Sequence, residues 1–282
     1  MSTLTTGTGT GSRAARRPRL RLGRALLGWA TALVFCFPAI WMVVTAFRPE
    51  GGSYTSLGFT PTLDEFRRVL GGDMVPYLMN SAMATVISVL LTLALAAPAA
   101  YALAIRPVRK WRDSLFFLIS TRMMPPAASI VPLYLIARDA GLLDNVWALI
   151  LLYTAMNLPL AVWMLRSYFM EVPVEVLEAA RMDGAGLRVQ ITTILLPLTA
   201  PGIAATALIC AIFSWNEFFF AVNFTTTTAG TVPVYLSGLI TGRGLFLAQL
   251  CAASLLASLP VILLGWIAQK QLVRGLTMGA VK

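Results

Sequence analysis

Residues 171–202 read EVPVEVLEAARMDGAGLRVQITTILLPLTAPG and lie between two long apolar runs. Pro173 suits the first turn of a helix, where its missing N–H would have no partner in any case, and acidic residues follow near the positive end of the helix dipole. Gly184 predicts a break, and a second helix is expected over about 187–195. The segment predicts a helix–turn–helix at a membrane surface. A connector that only packs against neighbouring spans would show the same pattern.

The composition is that of a membrane protein. Hydrophobic residues make up 58% of the 282 residues, only 12% are charged, and the mean hydropathy is +0.77. The apolar residues fall into runs of about 20, the length that crosses about 30 Å of hydrocarbon. We therefore predict an all-α integral membrane protein with six transmembrane helices over residues 25–47, 77–105, 114–136, 146–168, 200–222 and 246–268.

The distribution of positive charge predicts which loops face the cytoplasm. Sixteen of the 22 Lys and Arg residues lie in the N-terminal tail, the 106–112 loop, the 166–198 segment and the C-terminal tail, and five lie in the alternate loops. Basic residues hold loops in the cytoplasm, so both termini are predicted to be cytoplasmic. The same explanation accounts for the net charge of +10, so we do not expect nucleic-acid binding.

The chain divides into three predicted parts. Residues 1–23 form a disordered basic cytoplasmic tail, residues 24–268 form the six-span domain, and residues 269–282 form a cytoplasmic C-terminal tail. We call residues 171–197 the bracket. On the outer side we expect the 48–76 loop to carry one short helix.

Several kinds of site are excluded by residue type. The chain has no histidine, and its three cysteines fall inside predicted spans, so neither a metal site of ordinary ligand spacing nor a disulfide framework is expected. No G-x-x-x-x-G-K-[ST] is present, so the chain itself is not expected to bind ATP through a P-loop.

Two charged residues, Arg122 and Glu217, lie well away from the ends of predicted spans, where charge is costly and often functional. Their depths differ by on the order of 12 Å at 1.5 Å per residue, which argues against an ion pair. Glu217, with Trp215 and Asn216, could face sugar hydroxyls, or the polar side chains could join helices. Arg122 precedes prolines 125 and 126, which interrupt the helix and favour a cavity there.

The spacing EAA, three residues, Gly, nine residues, Ile-x-Leu-Pro resembles the loop of ABC importer permeases that meets the ATPase. The resemblance implies a coupling role for seven residues: Glu178, Ala179, Ala180, Asp183, Gly184, Leu196 and Pro197. Trp215-Asn216-Glu217-Phe218 resembles the sugar-importing branch, and Arg122-Met123-Met124-Pro125 resembles polyol-importing members. Gly186 and Ile191 depart from the residues common at those positions, outside the defining motif.

The resemblance implies the permease fold and a non-catalytic transport subunit that moves a sugar, oligosaccharide or polyol across a bacterial cytoplasmic membrane. It implies four kinds of partner: an ATP-binding subunit dimer that holds ATP and Mg, a second, different permease, an extracytoplasmic solute-binding protein and the lipid bilayer. Trp215, Asn216, Glu217 and Arg122 are the candidate residues of the substrate pathway.

Other functions are less well supported. The nearest rival is a permease for amino acids or peptides, which the Trp-Asn-Glu-Phe run disfavours. An ion-coupled secondary transporter would commonly show internal repeats and ionisable relays, and only Glu217 could carry a proton. A membrane-embedded enzyme would need a catalytic constellation, whereas the outer acidic residues are scattered.

Overall fold

A computed structural model describes residues 18–51, 54, 58–72, 74–105, 109–241 and 244–278. The predicted tail therefore falls largely outside the described residues, as do residues 279–282. In the described part the regular secondary structure is helical except for one two-residue β ladder. The elements are α1 (Pro18–Ala46), α2 (Asp64–Gly71), α3 (Met74–Ala104), α4 (Trp111–Met123), α5 (Pro126–Asp139), α6 (Val146–Phe169), α7 (Val174–Met182), α8 (Leu187–Val189), a π-helical stretch (Gln190–Leu195), α9 (Leu196–Leu198), α10 (Ala200–Trp215), α11 (Phe219–Phe224), α12 (Val232–Gly238), β1 (Ile240–Thr241), β2 (Gly244–Leu245) and α13 (Leu247–Met278).

Four of the helices are long and apolar enough to cross a membrane without a break. They contain Gly23–Ala46, Met74–Ala104, Val146–Phe169 and Leu247–Ile267. They coincide closely with the first, second, fourth and sixth predicted spans. Helix α1 already begins at Pro18, inside the predicted tail, and α13 continues to Met278, past the predicted end of the last span.

The predicted third span, 114–136, is not one straight helix. Helices α4 and α5 meet at 89°, because Pro125 and Pro126 cannot donate the backbone hydrogen bonds that would continue the helix. The break itself was expected from these prolines.

The predicted fifth span, 200–222, is wrong as a continuous helix. Helix α10 ends at Trp215, and α11 begins at Phe219 after a non-helical step. At its other end α10 turns by 82° away from the 187–198 segment. With these two bent pairs counted as spans the total is up to six.

The core forms where α3, α6 and α10 pack together. Helix α3 contributes a series of small buried residues, including Ala84, Ala96, Ala97 and Ala100, which let its backbone approach α6 closely. Helix α13 packs against α10 and against α1, whose apolar stretch is otherwise exposed. These contacts give the bundle two distinct ends, with the bracket at the carboxyl end of α3.

At the end of the bundle where α3 begins, Asp144 connects the loop before α6 to the loop that follows α11. Asp144 precedes α6 and has a φ of 51°. Its carboxylate accepts backbone N–H groups from four consecutive residues, Thr226, Thr227, Thr228 and Ala229, at 2.9–3.2 Å. Its own N–H donates to the carbonyl of Phe224 at 2.8 Å. Although partial burial acts to raise the pKa of Asp144, these N–H donors hold it well below its ordinary value.

We predict that Asp144→Asn lowers the free energy of unfolding by about 1–3 kcal/mol, because hydrogen bonds to a charged acceptor are lost. The contribution of Asp144 should be fully present above the unfolded-state pKa of about 3.9. It should disappear as pH falls from that value towards the lower folded-state pKa. Thermal unfolding in detergent at several pH values measures it. Asp139→Asn, an exposed aspartate paired with its neighbour Arg138, is the matched control. An equal effect of the two substitutions would contradict the prediction.

Candidate functional site

The first helix of the bracket is α7, and it ends in a turn at Gly184. Pro173 is the residue immediately before the helix, one position ahead of the predicted first turn. At the other end the N–H of Ala185 donates to the carbonyl of Ala180 at 2.9 Å, and the N–H of Gly184 donates to that of Arg181 at 3.0 Å. This pair of bonds is the Schellman motif, which needs a left-handed residue. Gly184 supplies it with a φ of +80° and has open space where a side chain would be, so backbone conformation accounts for the glycine.

The residues of α7 divide into a buried and an exposed face. Leu177 and Ala180 are buried, whereas Glu178 and Ala179 are exposed. Val174 and Met182 are also apolar, but they are 56% and 88% exposed. Only some of the apolar side chains of α7 are therefore buried within this chain. The outer face of α7 combines carboxylates with exposed apolar side chains.

The second arm of the bracket leads into the core. Gln190 and Leu195 of the π-helical stretch are buried, and Leu196 packs against the apolar cluster around α3 and α6. Pro197 and Asp183 are exposed. Gly202, at the start of α10, lies so close to the ring of Tyr168 that a Cβ would fall 2.3 Å from the ring. The bracket is thus packed directly onto the spans.

Arg122 lies at the break in the third span. Its Nη1 donates to the carbonyl of Met156 in α6 at 2.8 Å, and its guanidinium lies 4.7 Å from the ring centroid of Phe213 in α10. The side chain is half-buried and lines a cavity of about 440 Å³ together with Met156, Ser129 and Phe220. Arg122 therefore joins three helices and contributes a positive charge to a mainly apolar cavity.

Glu217 occupies the break between α10 and α11. One carboxylate oxygen accepts the N–H of Phe220 at 2.9 Å, and the other accepts the N–H of Ala221 at 3.1 Å. These are amides of the first turn of α11, which have no partner within the helix. The carboxylate thus caps α11 and thereby positions Phe220 beside the Arg122 cavity.

The other two candidates face a different cavity. The indole N–H of Trp215 donates to the carbonyl of Ala257 in α13 at 3.2 Å, and the amide of Asn216 donates to Ile212 in its own helix at 2.9 Å. Trp215 and Asn216 line a cavity of about 340 Å³ between α10, α12 and α13. The candidate residues are therefore distributed over two cavities, one on each side of the break that Glu217 caps.

Arg122 and Glu217 do not pair with each other in the structure. Among the described residues the side-chain ion pairs are confined to Arg67–Asp64, Arg68–Glu65 and Arg138–Asp139. Each of the two intramembrane charges instead bonds to backbone groups of a broken or neighbouring helix.

Sequence reasoning missed a buried polar cluster at the crossing of α3, α6 and α10. The amide of Asn157 donates to Oγ of Ser214 at 2.9 Å, and Oγ of Ser88 lies 3.3 Å from the same atom. Ser88 belongs to a stripe of buried hydroxyls on one face of α3: Ser81, Thr85, Ser88 and Thr92. Their spacing of four, three and four residues is a helical period and could have revealed this face.

The chain matches a protein family and individual proteins of known sequence. Residues 95–277 match the family described as "Binding-protein-dependent transport system inner membrane component". The chain is 41% identical over 256 residues to the probable ABC transporter permease protein y4oR of Sinorhizobium fredii, covering 89% of this chain and 92% of that protein. It is 35% identical over 265 residues to the trehalose/maltose transport system permease protein MalG of Thermococcus litoralis, covering 89% and 93%.

A solved structure matches as well. A bacterial ABC transporter involved in the import of the acidic polysaccharide alginate contains a chain that superposes with a TM-score of 0.74 at 26% identity. The match covers 93% of this chain and 99% of the other.

We predict that Glu217→Ala lowers the free energy of unfolding by about 0.5–2 kcal/mol, the usual effect of losing a helix cap. Glu217→Gln should cost less, because its amide oxygen can still accept one of the two N–H groups. Thermal unfolding of the purified protein in detergent compares the two, with the exposed Glu171→Gln as control. If Ala and Gln at position 217 are equally tolerated, the capping role is wrong.

Proposed function

Because the chain belongs to the family of binding-protein-dependent transport system inner membrane components, we propose that it is the permease subunit of an ATP-driven importer of a sugar, oligosaccharide or polyol. Its relatives include the trehalose/maltose permease, and its structural neighbour belongs to an importer of a polysaccharide. The chain is a non-catalytic transport subunit, and ATP hydrolysis belongs to a separate partner. The observation that supports this most strongly is the match over residues 95–277, which includes the whole bracket.

The proposed topology has six spans with both termini in the cytoplasm of a bacterial cell. Charge at the two ends of the bundle supports it. At the bracket end the described basic residues include Arg109, Lys110, Arg112, Arg166, Arg181 and Arg188. At the opposite end Arg67, Arg68 and Arg138 each have an acidic partner. An excess of unpaired positive charge is typical of a cytoplasmic surface.

The partner ATPase, as a dimer that binds ATP and Mg, is proposed to dock on the outer face of α7. Glu178 and Ala179 are exposed there, beside the exposed apolar residues Val176 and Met182. A patch of carboxylates and unpacked apolar side chains on a short, rigid helix suits insertion into a groove. Ala180, Asp183, Gly184, Leu196 and Pro197 give the bracket its shape and its attachment to the spans.

A second permease and an external solute-binding protein complete the proposed assembly. The apolar stretch of α1, Gly23–Ala46, has none of its most hydrophobic window buried in this chain, which leaves it free to contact lipid or the second permease. The solute-binding protein would meet the end that Asp144 organises. ATP-driven closure of the ATPase dimer would shift the spans between inward- and outward-open states.

The two cavities beside the fifth-span break are the proposed parts of the substrate pathway. Arg122 would face the solute from one cavity, and Trp215 and Asn216 from the other, where an indole can stack on a sugar ring. Glu217 would act indirectly, because both of its oxygens already bond to α11. A permease for amino acids or peptides is the second candidate, since the family name does not specify the solute.

The test is uptake of labelled mono-, di- and trisaccharides and polyols by cells with and without this gene. We expect uptake of one such solute to be lost without the gene and restored by the wild type. Glu178→Lys should not restore it, because the reversed charge disrupts the surface proposed to meet the ATPase.

Glu171→Lys makes the same charge change at an exposed residue just outside α7 and should restore uptake. Loss of amino-acid or peptide uptake instead would overturn the sugar assignment. Full uptake with Glu178→Lys would overturn the docking surface.

A further inference from the structure

Gln190 is a buried amide at the junction of the bracket and the spans. It is 2% exposed and lies in the π-helical stretch between α8 and α9. Its Nε2 donates to the carbonyl of Ala185, in the turn of the bracket, at 2.7 Å. Its Oε1 accepts the hydroxyl hydrogen of Tyr101, near the end of α3, at 2.8 Å. One side chain thus connects the turn that follows α7 to a membrane-spanning helix.

A third contact reaches α7 itself. Nε of Arg181, in the last turn of α7, lies 3.4 Å from the same Oε1 of Gln190, at the long end of hydrogen-bond geometry. Tyr101 is only 3% exposed, so its hydroxyl has little access to water as an alternative partner. Removal of the Gln190 side chain therefore leaves the buried Tyr101 hydroxyl unpaired, which is costly. Removal of the Tyr101 hydroxyl leaves Oε1 of Gln190 with only the long contact to Arg181.

The side chains around Gln190 make apolar contacts, which fix the position of the bracket relative to α3 less strictly than hydrogen bonds do. Ile191, Leu195 and Leu196 pack into the cluster that includes Ala100 and Leu165. Apolar packing is non-directional and allows side chains to slide, whereas hydrogen bonds fix both distance and orientation. The Gln190 amide is thus the directional connection between this part of the bracket and α3.

Helix α3 also makes hydrogen bonds to a loop near its amino end, away from the bracket. The amide of Asn80 donates to the carbonyls of Thr228 and Gly230 at 2.8 and 3.0 Å, and Oγ of Ser81 accepts the N–H of Val232 at 2.8 Å. Thr228 is one of the residues that Asp144 binds, and Gly230 and Val232 follow shortly after it in the chain. A single helix therefore joins the bracket to the loop at the opposite end of the bundle by hydrogen bonds at both ends.

We propose that Gln190 is the positioning residue through which the bracket moves α3, with Tyr101 as the receiving group. The proposal rests on the proposed function, in which a partner ATPase displaces the bracket. Displacement of α7 then shifts the Gln190 amide, the amide shifts Tyr101, and α3 passes the movement to residues 228–232. Without the link the ATPase still closes and hydrolyses ATP, but less of each cycle reaches the spans.

The test measures ATP hydrolysed per solute molecule transported by assembled complexes in vesicles. We expect Gln190→Leu and Tyr101→Phe each to raise this ratio about fivefold, the factor that corresponds to one lost hydrogen bond. The double variant should be no worse than the more affected single variant, because both remove the same link. The KM for ATP should not change, because ATP binds on the partner.

Thr192→Val is the matched control. Thr192 lies in the same π-helical stretch, is exposed, and bonds only to the carbonyl of Arg188 in its own segment at 2.8 Å. We expect it to leave the ratio unchanged. A loss of stability alone would reduce the amount of assembled complex, which lowers ATP hydrolysis and transport together and leaves the ratio unchanged.

An unchanged ratio in both Gln190→Leu and Tyr101→Phe would overturn the proposal. If Glu178→Lys abolishes coupling in the same assay, the link is wrong and the docking surface stands. If Glu178→Lys also has no effect, the proposed coupling surface fails as well. Should Gln190→Leu not assemble, Tyr101→Phe decides the question, since it removes only one hydroxyl.

Discussion

The bilayer's lack of hydrogen-bonding partners is the constraint on which this structure depends. An unbroken helix such as α3 satisfies its own backbone, but the predicted third and fifth spans are interrupted between α4 and α5 and between α10 and α11. Backbone groups at such helix ends need partners from elsewhere in the protein. The chain supplies charged side chains at both interruptions. Glu217 accepts two N–H groups at the start of α11, and Arg122 donates to a carbonyl of α6. A charged residue in a span is therefore not necessarily a ligand for the transported solute.

The same constraint explains why the cavities lie where they do. Where a helix stops and restarts in another direction, its neighbours cannot pack continuously, and space remains beside the break. The Arg122 cavity lies at the 89° bend between α4 and α5, and the Trp215 cavity lies at the end of α10. Irregular backbone at membrane depth is tolerated when it lines a cavity or is covered by protein. The breaks thus cost backbone hydrogen bonds and at the same time leave the two cavities that we propose as parts of the substrate pathway.

Parts of this arrangement could be predicted from sequence because they depend on local chemistry. The glycine at 184 and the proline at 173 determine the two ends of α7, and prolines 125 and 126 determine the break in the third span. The fifth-span break was not predicted, because residues 215–218 contain neither proline nor glycine and read as a continuation of an apolar helix. Glu217 is a pathway candidate because it places a charge inside that predicted span. Its actual partners are amides only three and four residues away, made available by a break that the composition does not show.

Long-range partners were beyond prediction for a different reason. Gln190 is separated from Tyr101 by 89 residues, and Asp144 from the threonine loop by more than 80. A glutamine in an amphipathic stretch and an aspartate in an outer loop each look like solvated surface residues, since their burial and partners depend on how the spans fold back. Yet these two residues act at opposite ends of α3, one on the bracket and one on the loop that Asn80 and Ser81 also hold. In the mechanism proposed above, the motif residues of the bracket provide the surface on which the partner ATPase pushes, whereas residues outside the motif determine which span moves.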